Sequence, residues 1–188
     1  MTLKNIIPEN LFTLEMANNH MGDIEHGIHV IKSFGEICKK YPFSFAFKLQ
    51  YRQLDSFIHP NMQGREDVPY IKRFSETRLT RDDFDVLVNE IRNQGFLTMS
   101  TPFDEESVDM IESQDLDIIK IASCSFGDWP LLERINQTNK PIIASTAGAS
   151  IELIDQVVSY LTHRQKEFAI LHCVGEYPTP DENMHISQ

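Results

Sequence analysis

Six short apolar runs punctuate the chain, at Leu11–Leu14, Phe43–Phe47, Phe96–Met99, Ile118–Ile119, Pro141–Ala144 and Phe168–Leu171. Between them lie amphipathic stretches with helical spacing. Asp23–Lys40 opens on an acidic turn and sets Ile24, Ile28, Ile31 and Phe34 on one face. Thr80–Gln94 opens on a threonine suited to capping and carries Phe84, Leu87, Val88 and Ile91 at helical intervals. Further helices are predicted over Asp104–Ser113, Trp129–Asn136 and Ser150–Thr162. Asp104 before Glu105 and Glu106, and Ser150 before Glu152, supply a cap and an acidic first turn. Tyr51–Thr77 contains Pro60, Gly64, Pro69 and many polar residues, and reads as a long loop with room for a short helix.

Strands alternating with helices imply a parallel sheet covered by helices, the α/β class. About six such units fit in the chain, where a closed (β/α) barrel of the TIM type has about eight. The strands are short and nearly continuously apolar, as expected of strands buried on both faces. A doubly wound sheet shares this pattern, although no GxGxxG follows the first strand.

Each apolar run stops at polar residues on its carboxyl side. The first meets Glu15, Asn18, Asn19 and His20; the second Lys48 and Gln50; the third Ser100 and Thr101. The fourth meets Lys120 and Ser123, the fifth Ser145 and Thr146, and the sixth His172 and Tyr177. In parallel α/β folds the carboxyl ends of the strands converge on one face, where ligands bind. Two lysines, a carboxylate and several hydroxyls around one cavity suit a small, multiply anionic ligand. Each residue also has a plainer reading. A strand-end lysine can reach out to water, Ser145 and Thr146 can cap the next helix, and His20 and His172 can be structural.

Composition changes the picture only a little. The net charge is −11, with 17 basic against 28 acidic side chains among 188 residues, which argues against a nucleic-acid or anionic-membrane surface. Cys38, Cys124 and Cys173 are too few and too scattered for a disulfide framework or a CxxC zinc site, so a reduced, cytoplasmic setting is expected. The opening residues lack the apolar run of a signal peptide, and no run is long enough to span a membrane.

Six local strings go further. EMANNHMG at Glu15–Gly22, FKLQ at Phe47–Gln50, STPFD at Ser100–Asp104, KIAS at Lys120–Ser123, ASTAGAS at Ala144–Ser150 and LHCVGEYPTP at Leu171–Pro180 occur in order, each at a predicted strand end. Together they resemble the sialic acid synthase family over nearly the whole chain. The resemblance implies condensation of phosphoenolpyruvate with an open-chain N-acylated amino sugar such as N-acetylmannosamine, assisted by manganese or magnesium. It implies that Lys48, Thr101, Lys120, Ser123 and Ser145 hold phosphoenolpyruvate, and that Glu15 is the catalytic residue beside the sugar. Gln50, Phe103 and Tyr177 would line the sugar side, and Asn19 and His20 would shape the first loop.

The same resemblance implies that residues 1–188 form the amino-terminal part of a barrel whose last strands and antifreeze-like domain are absent. This chain is therefore expected to be a truncated form of a homodimeric parent. The family's metal-binding histidines lie on later segments, and His163, His172 and His185 match none of their motifs, so no metal ligand is assigned. A non-catalytic remnant that binds an anionic sugar or serves assembly is the competing reading. Two departures fall on the sugar side. Ser125 stands where the family often has glutamate, and Gly175 where it usually has Asn or Ser. Both point to an acceptor other than plain N-acetylmannosamine.

Overall fold

The computed structural model describes residues 7–186. Six strands are present: β1 (Leu11–Glu15), β2 (Ser44–Tyr51), β3 (Leu97–Pro102), β4 (Ile118–Ile121), β5 (Ile142–Ser145) and β6 (Phe168–Leu171). Every pairing is parallel, and the spatial order is β1-β2-β3-β4-β5-β6. A doubly wound sheet reverses its strand order at a switch point. This sheet does not reverse, so right-handed crossovers place the helices on one face only.

The burial pattern agrees. Alternate strand residues Phe47, Leu49, Ile119, Ile121, Ile142 and Ala144 join one apolar cluster with residues of the covering helices. Those helices are α1 (Ile24–Cys38), α4 (Arg81–Asn93), α5 (Glu105–Ser113), α6 (Trp129–Asn136) and α7 (Ile151–His163). The opposite parity contributes Ala46, Met99, Ile118 and Ile143, which pack with Leu11, Leu97 and Ala169 from the same sheet. Side chains from one face of several strands meet each other, so the sheet curls inward as a half-barrel.

The helices form where the apolar spacing predicts them, and the caps set their starts. Asp23, Thr80, Asp104, Asp128 and Ser150 each accept a backbone N–H of the first turn through the side chain. Thr80 and Asp83 form a reciprocal capping box. Each such cap contributes about 1 kcal/mol by satisfying an otherwise orphaned donor.

Two expectations need correction. Tyr51–Thr77 is not mainly loop: it holds α2 (Leu54–Phe57), a 3-10 turn at Pro60–Met62 and α3 (Pro69–Glu76). Pro69 occupies the first turn of α3, where its missing N–H costs nothing. Burial on both faces holds for the central strands but not for β1 and β6, which have one neighbour each; Phe12 is 50% and Leu171 44% exposed. No described helix is long and apolar enough to cross a membrane. The leader reading falls partly on residues 1–6, which lie outside the described residues.

Candidate active site

Strand parity builds the site. Ala46, Met99, Ile118 and Ile143 face the inside of the curl, and side chains two residues further along a strand share that face. Those next positions are Lys48, Thr101, Lys120 and Ser145, with Gln50 one step beyond Lys48. Leu11 belongs to the same inner layer, so Glu15, four residues on, faces inward too; it is in register with Lys48. The chain therefore lays a polar layer directly on an apolar one.

Lys48 and Lys120 are both 8% exposed. Buried ammonium groups need partners. Lys48 donates to the Glu15 carboxylate, and its Nζ lies 3.5 Å from Thr101 Oγ1. The other Glu15 oxygen accepts from the Ala17 N–H at 2.9 Å, so the first loop orients the carboxylate. Lys120 has neutral partners: its Nζ donates to Ser145 Oγ at 2.6 Å and to the Ile121 carbonyl at 2.8 Å. Burial, followed by repulsion from Lys48, pulls the Lys120 ammonium down to about 8 from its ordinary 10.5. Two lysines face one carboxylate here, and an incoming anion would relieve their repulsion.

Ser123 stands at the mouth in the turn after β4, and its Oγ accepts from the Ala147 N–H at 3.1 Å. That bond ties the β5–α7 loop to the β4 end and leaves the hydroxyl proton free to donate. Gln50 and Phe103 follow Lys48 and Thr101 by two residues, at the end of β2 and just past β3. Both touch Arg52: its guanidinium donates to Gln50 Oε1 at 2.8 Å and sits 3.8 Å from the Phe103 ring centroid. Phe74 of α3 covers it at 4.3 Å. Burial lowers Arg52 to about 10, with Cys124, Asp104 and Glu15 opposing, so it stays charged at neutral pH. The sequence reading missed Arg52. The available signal was parity, since Lys48, Gln50 and Arg52 alternate along one strand and its exit.

Tyr177 does not join this group; its side chain is fully exposed. His172 Nε2 lies 2.9 Å from the Met184 carbonyl and is used locally. His20 is buried, accepts the Gly22 N–H on Nδ1 at 3.1 Å and stands edge-on to Phe84. Burial, then His26, lowers its pKa, which suits a neutral, loop-shaping imidazole. With Asn18, Gln50, Arg52, Phe74 and Phe84 it lines a small cleft at the strand ends. Ser125 is buried beside Cys124. A side chain at position 175 would meet nothing nearer than the Ala147 Cβ at 3.9 Å, so Gly175 leaves open space there.

Gly22 fixes how this first loop meets α3. Its φ is +74°, and an added Cβ would lie 2.9 Å from the Glu76 carbonyl. Gly22→Ala is expected to destabilise the fold by about 1–2 kcal/mol through left-handed strain and that clash. Thermal unfolding of the two proteins checks this.

Among the described residues, no three His, Cys, Asp or Glu side chains converge on a point that could hold a metal ion. Glu15 is engaged by Lys48, and His20 accepts a backbone proton. This donor set does not fit a divalent metal.

The match to the NeuB family covers residues 45–188. A Chromobacterium violaceum protein named for spore coat polysaccharide biosynthesis is 57% identical, with a TM-score of 0.93 over 95% of this chain and 53% of its own. An N-acetylneuraminic acid (sialic acid) synthetase from Leptospira borgpetersenii, solved with citrate, is 26% identical, with a TM-score of 0.81 over 100% of this chain and 63% of its own. An N,N'-diacetyllegionaminic acid synthase from Campylobacter jejuni is 36% identical over 91 residues, covering 47% of this chain and 27% of its own length. The chain spans about half the length of the curated relatives it matches, 47% for two of them. On the family match, which takes in most of the sequence, the chain belongs to the NeuB family.

Proposed function

We propose that this site binds phosphoenolpyruvate and condenses it with an N-acylated amino sugar aldehyde, giving a nonulosonic acid and phosphate. One observation carries the reading: two buried lysines share an inner face with a single carboxylate, a surplus of positive charge that a small anion would relieve. The names of the relatives, synthases of sialic and diacetyllegionaminic acids, support the product class. The fold proposed for the whole protein is a closed (β/α) barrel of the TIM type, of which these 188 residues form the amino-terminal part. A homodimer is proposed as its assembly.

Each residue then has a task. Lys48, Lys120, Thr101, Ser123 and Ser145 hold the phosphate and carboxylate of the donor with charge and hydroxyl protons. Gln50 and Phe103 line the acceptor side; Tyr177, fully exposed, takes no part in it. The enol π pair of the donor forms the bond from its C3 to the aldehyde carbon, and the aldehyde oxygen takes up a proton. Water adds at the electron-poor C2 and loses a proton. The bond between C2 and the bridging oxygen of the phosphate then breaks and its pair leaves with inorganic phosphate, while a lone pair of the new C2 hydroxyl closes the ketone C=O and the hydroxyl proton passes to the departing phosphate. Glu15, next to the forming bond, orients sugar hydroxyls and the attacking water. Ser125 and Gly175 remove two groups from the acceptor side, so the preferred acceptor differs from plain N-acetylmannosamine.

Phosphate release tests this, with phosphoenolpyruvate, a panel of N-acylated amino sugars and manganese or magnesium present or withheld. Sugar-dependent release supports a synthase. Binding of phosphoenolpyruvate or sugar without release supports the non-catalytic remnant. A clear preference for N-acetylmannosamine overturns the acceptor assignment alone.

A further inference from the structure

The chemistry of Gln50 depends on the arginine beside it. A guanidinium has only donors, so the oxygen of Gln50 must face Arg52 and its amide nitrogen must point the other way. That nitrogen has no acceptor among the described residues, and Gln50 lines the cleft at the strand ends. Phe103 is held by the same group, since the Arg52 guanidinium covers its ring at 3.8 Å while Phe74 closes the other face at 4.3 Å. Arg52 has no carboxylate within ion-pair distance among the described residues; the Glu15 carboxylate is occupied by Lys48. A half-buried arginine held by two rings and one neutral amide is arranged to fix its neighbours.

We infer that Arg52 is a positioning residue for the acceptor sugar: it aims the Gln50 amide nitrogen at an acceptor oxygen and holds Phe103 flat as the wall beside it. This rests on the proposed function, in which Gln50 and Phe103 face the sugar. It also gives the segment between β2 and α4 a purpose. Phe74 lies on α3 within that segment, so α3 helps close the stack that shapes the acceptor side.

The test is steady-state kinetics on Arg52→Met, Arg52→Lys and Gln50→Met, singly and as the Arg52→Met/Gln50→Met pair. Arg52→Met keeps a long side chain between the rings but cannot donate. It is expected to raise the acceptor KM about tenfold, the loss of one charge-assisted positioning bond, with the phosphoenolpyruvate KM unchanged. Arg52→Lys keeps the cation between the rings and is expected to recover part of that loss. The double variant is expected to be little worse than either single one, because both remove the same contact. Equal rises in both KM values, additive losses, or failure of lysine to rescue would overturn the inference. An unchanged acceptor KM in Arg52→Met, with normal phosphate release, overturns it alone. No release by the unaltered protein with any acceptor overturns the synthase reading and this inference together.

Discussion

Replacing Lys120 by methionine is expected to cut phosphoenolpyruvate-dependent turnover about a thousandfold while raising thermal stability, an opposed pair of effects that follows from burying a cation beside a cation. Lys120 is 8% exposed, its partners are the Ser145 hydroxyl and the Ile121 carbonyl, and the nearby Lys48 repels it. Methionine fills a similar volume, needs no partner and removes the repulsion, so a gain of about 1 kcal/mol is expected. If the site binds an anion as proposed, the unliganded protein keeps this cation for it and should be less stable for doing so.

The pH dependence supplies a second readout. The folded-state pKa of Lys120, about 8, lies below its ordinary 10.5. The penalty of burying the charged form is complete below about pH 8 and disappears as pH rises towards 10.5. Through that window the unfolded chain holds more protons, so wild-type stability from this group rises with pH. The methionine variant should lack that rise. Donor affinity should move the other way, weakening as Lys120 loses its proton above about pH 8. A bound anion favours the ammonium form and carries that decline to higher pH. Thermal melts and binding titrations of both proteins across this range check the pair of signs. A methionine variant that melts lower, or binds phosphoenolpyruvate as well as the wild type, would remove Lys120 from the anion site.

Much of this was open to reading in the residues. The helix predicted over Trp129–Asn136 matches to the residue, with Leu131, Leu132 and Ile135 buried at helical spacing after the Asp128 cap. The convergence of Glu15, Lys48, Lys120 and Ser145 on one face was legible because parallel strands bring their carboxyl ends together, a property of topology that order along the chain already implies. What escaped depends on contacts between distant segments. Arg52 matters because Phe74, 22 positions later, and Phe103, 51 positions later, close on its two faces, and no local periodicity encodes that. Tyr51–Thr77 was read as a long loop with room for a short helix because of Pro60, Gly64, Pro69 and its many polar residues; α3 within it carries only Tyr70, Ile71 and Phe74 as large apolar groups, and none of its eight residues is buried. The choice between a curled and a doubly wound sheet also waited on strand order, since alternating elements are common to both.

Glu15→Gln is expected to separate chemistry from donor binding. The carboxylate is held by the Ala17 N–H on one oxygen and by Lys48 on the other, with 43% of its side chain open to solvent. Glutamine can keep the first bond but carries no charge. If Glu15 orients the acceptor hydroxyls and the attacking water, kcat should fall about 10²–10⁴-fold. Phosphoenolpyruvate should bind several-fold more tightly, because Lys48 is released from its carboxylate and a negative charge leaves the anion site. Without ligand the variant should melt lower than the wild type, since Lys48 and Lys120 then face each other with no carboxylate between them. Phosphoenolpyruvate should recover more of that loss than it adds to the wild type, as required of a ligand that binds the folded state more strongly. Calorimetric titration, melts with and without the donor, and single-turnover phosphate release distinguish the outcomes. Weaker donor binding in parallel with a lower kcat would make Glu15 an organiser of the lysine pair. An unchanged kcat would remove it from the reaction and leave the lysines and hydroxyls as the whole of the site on this chain.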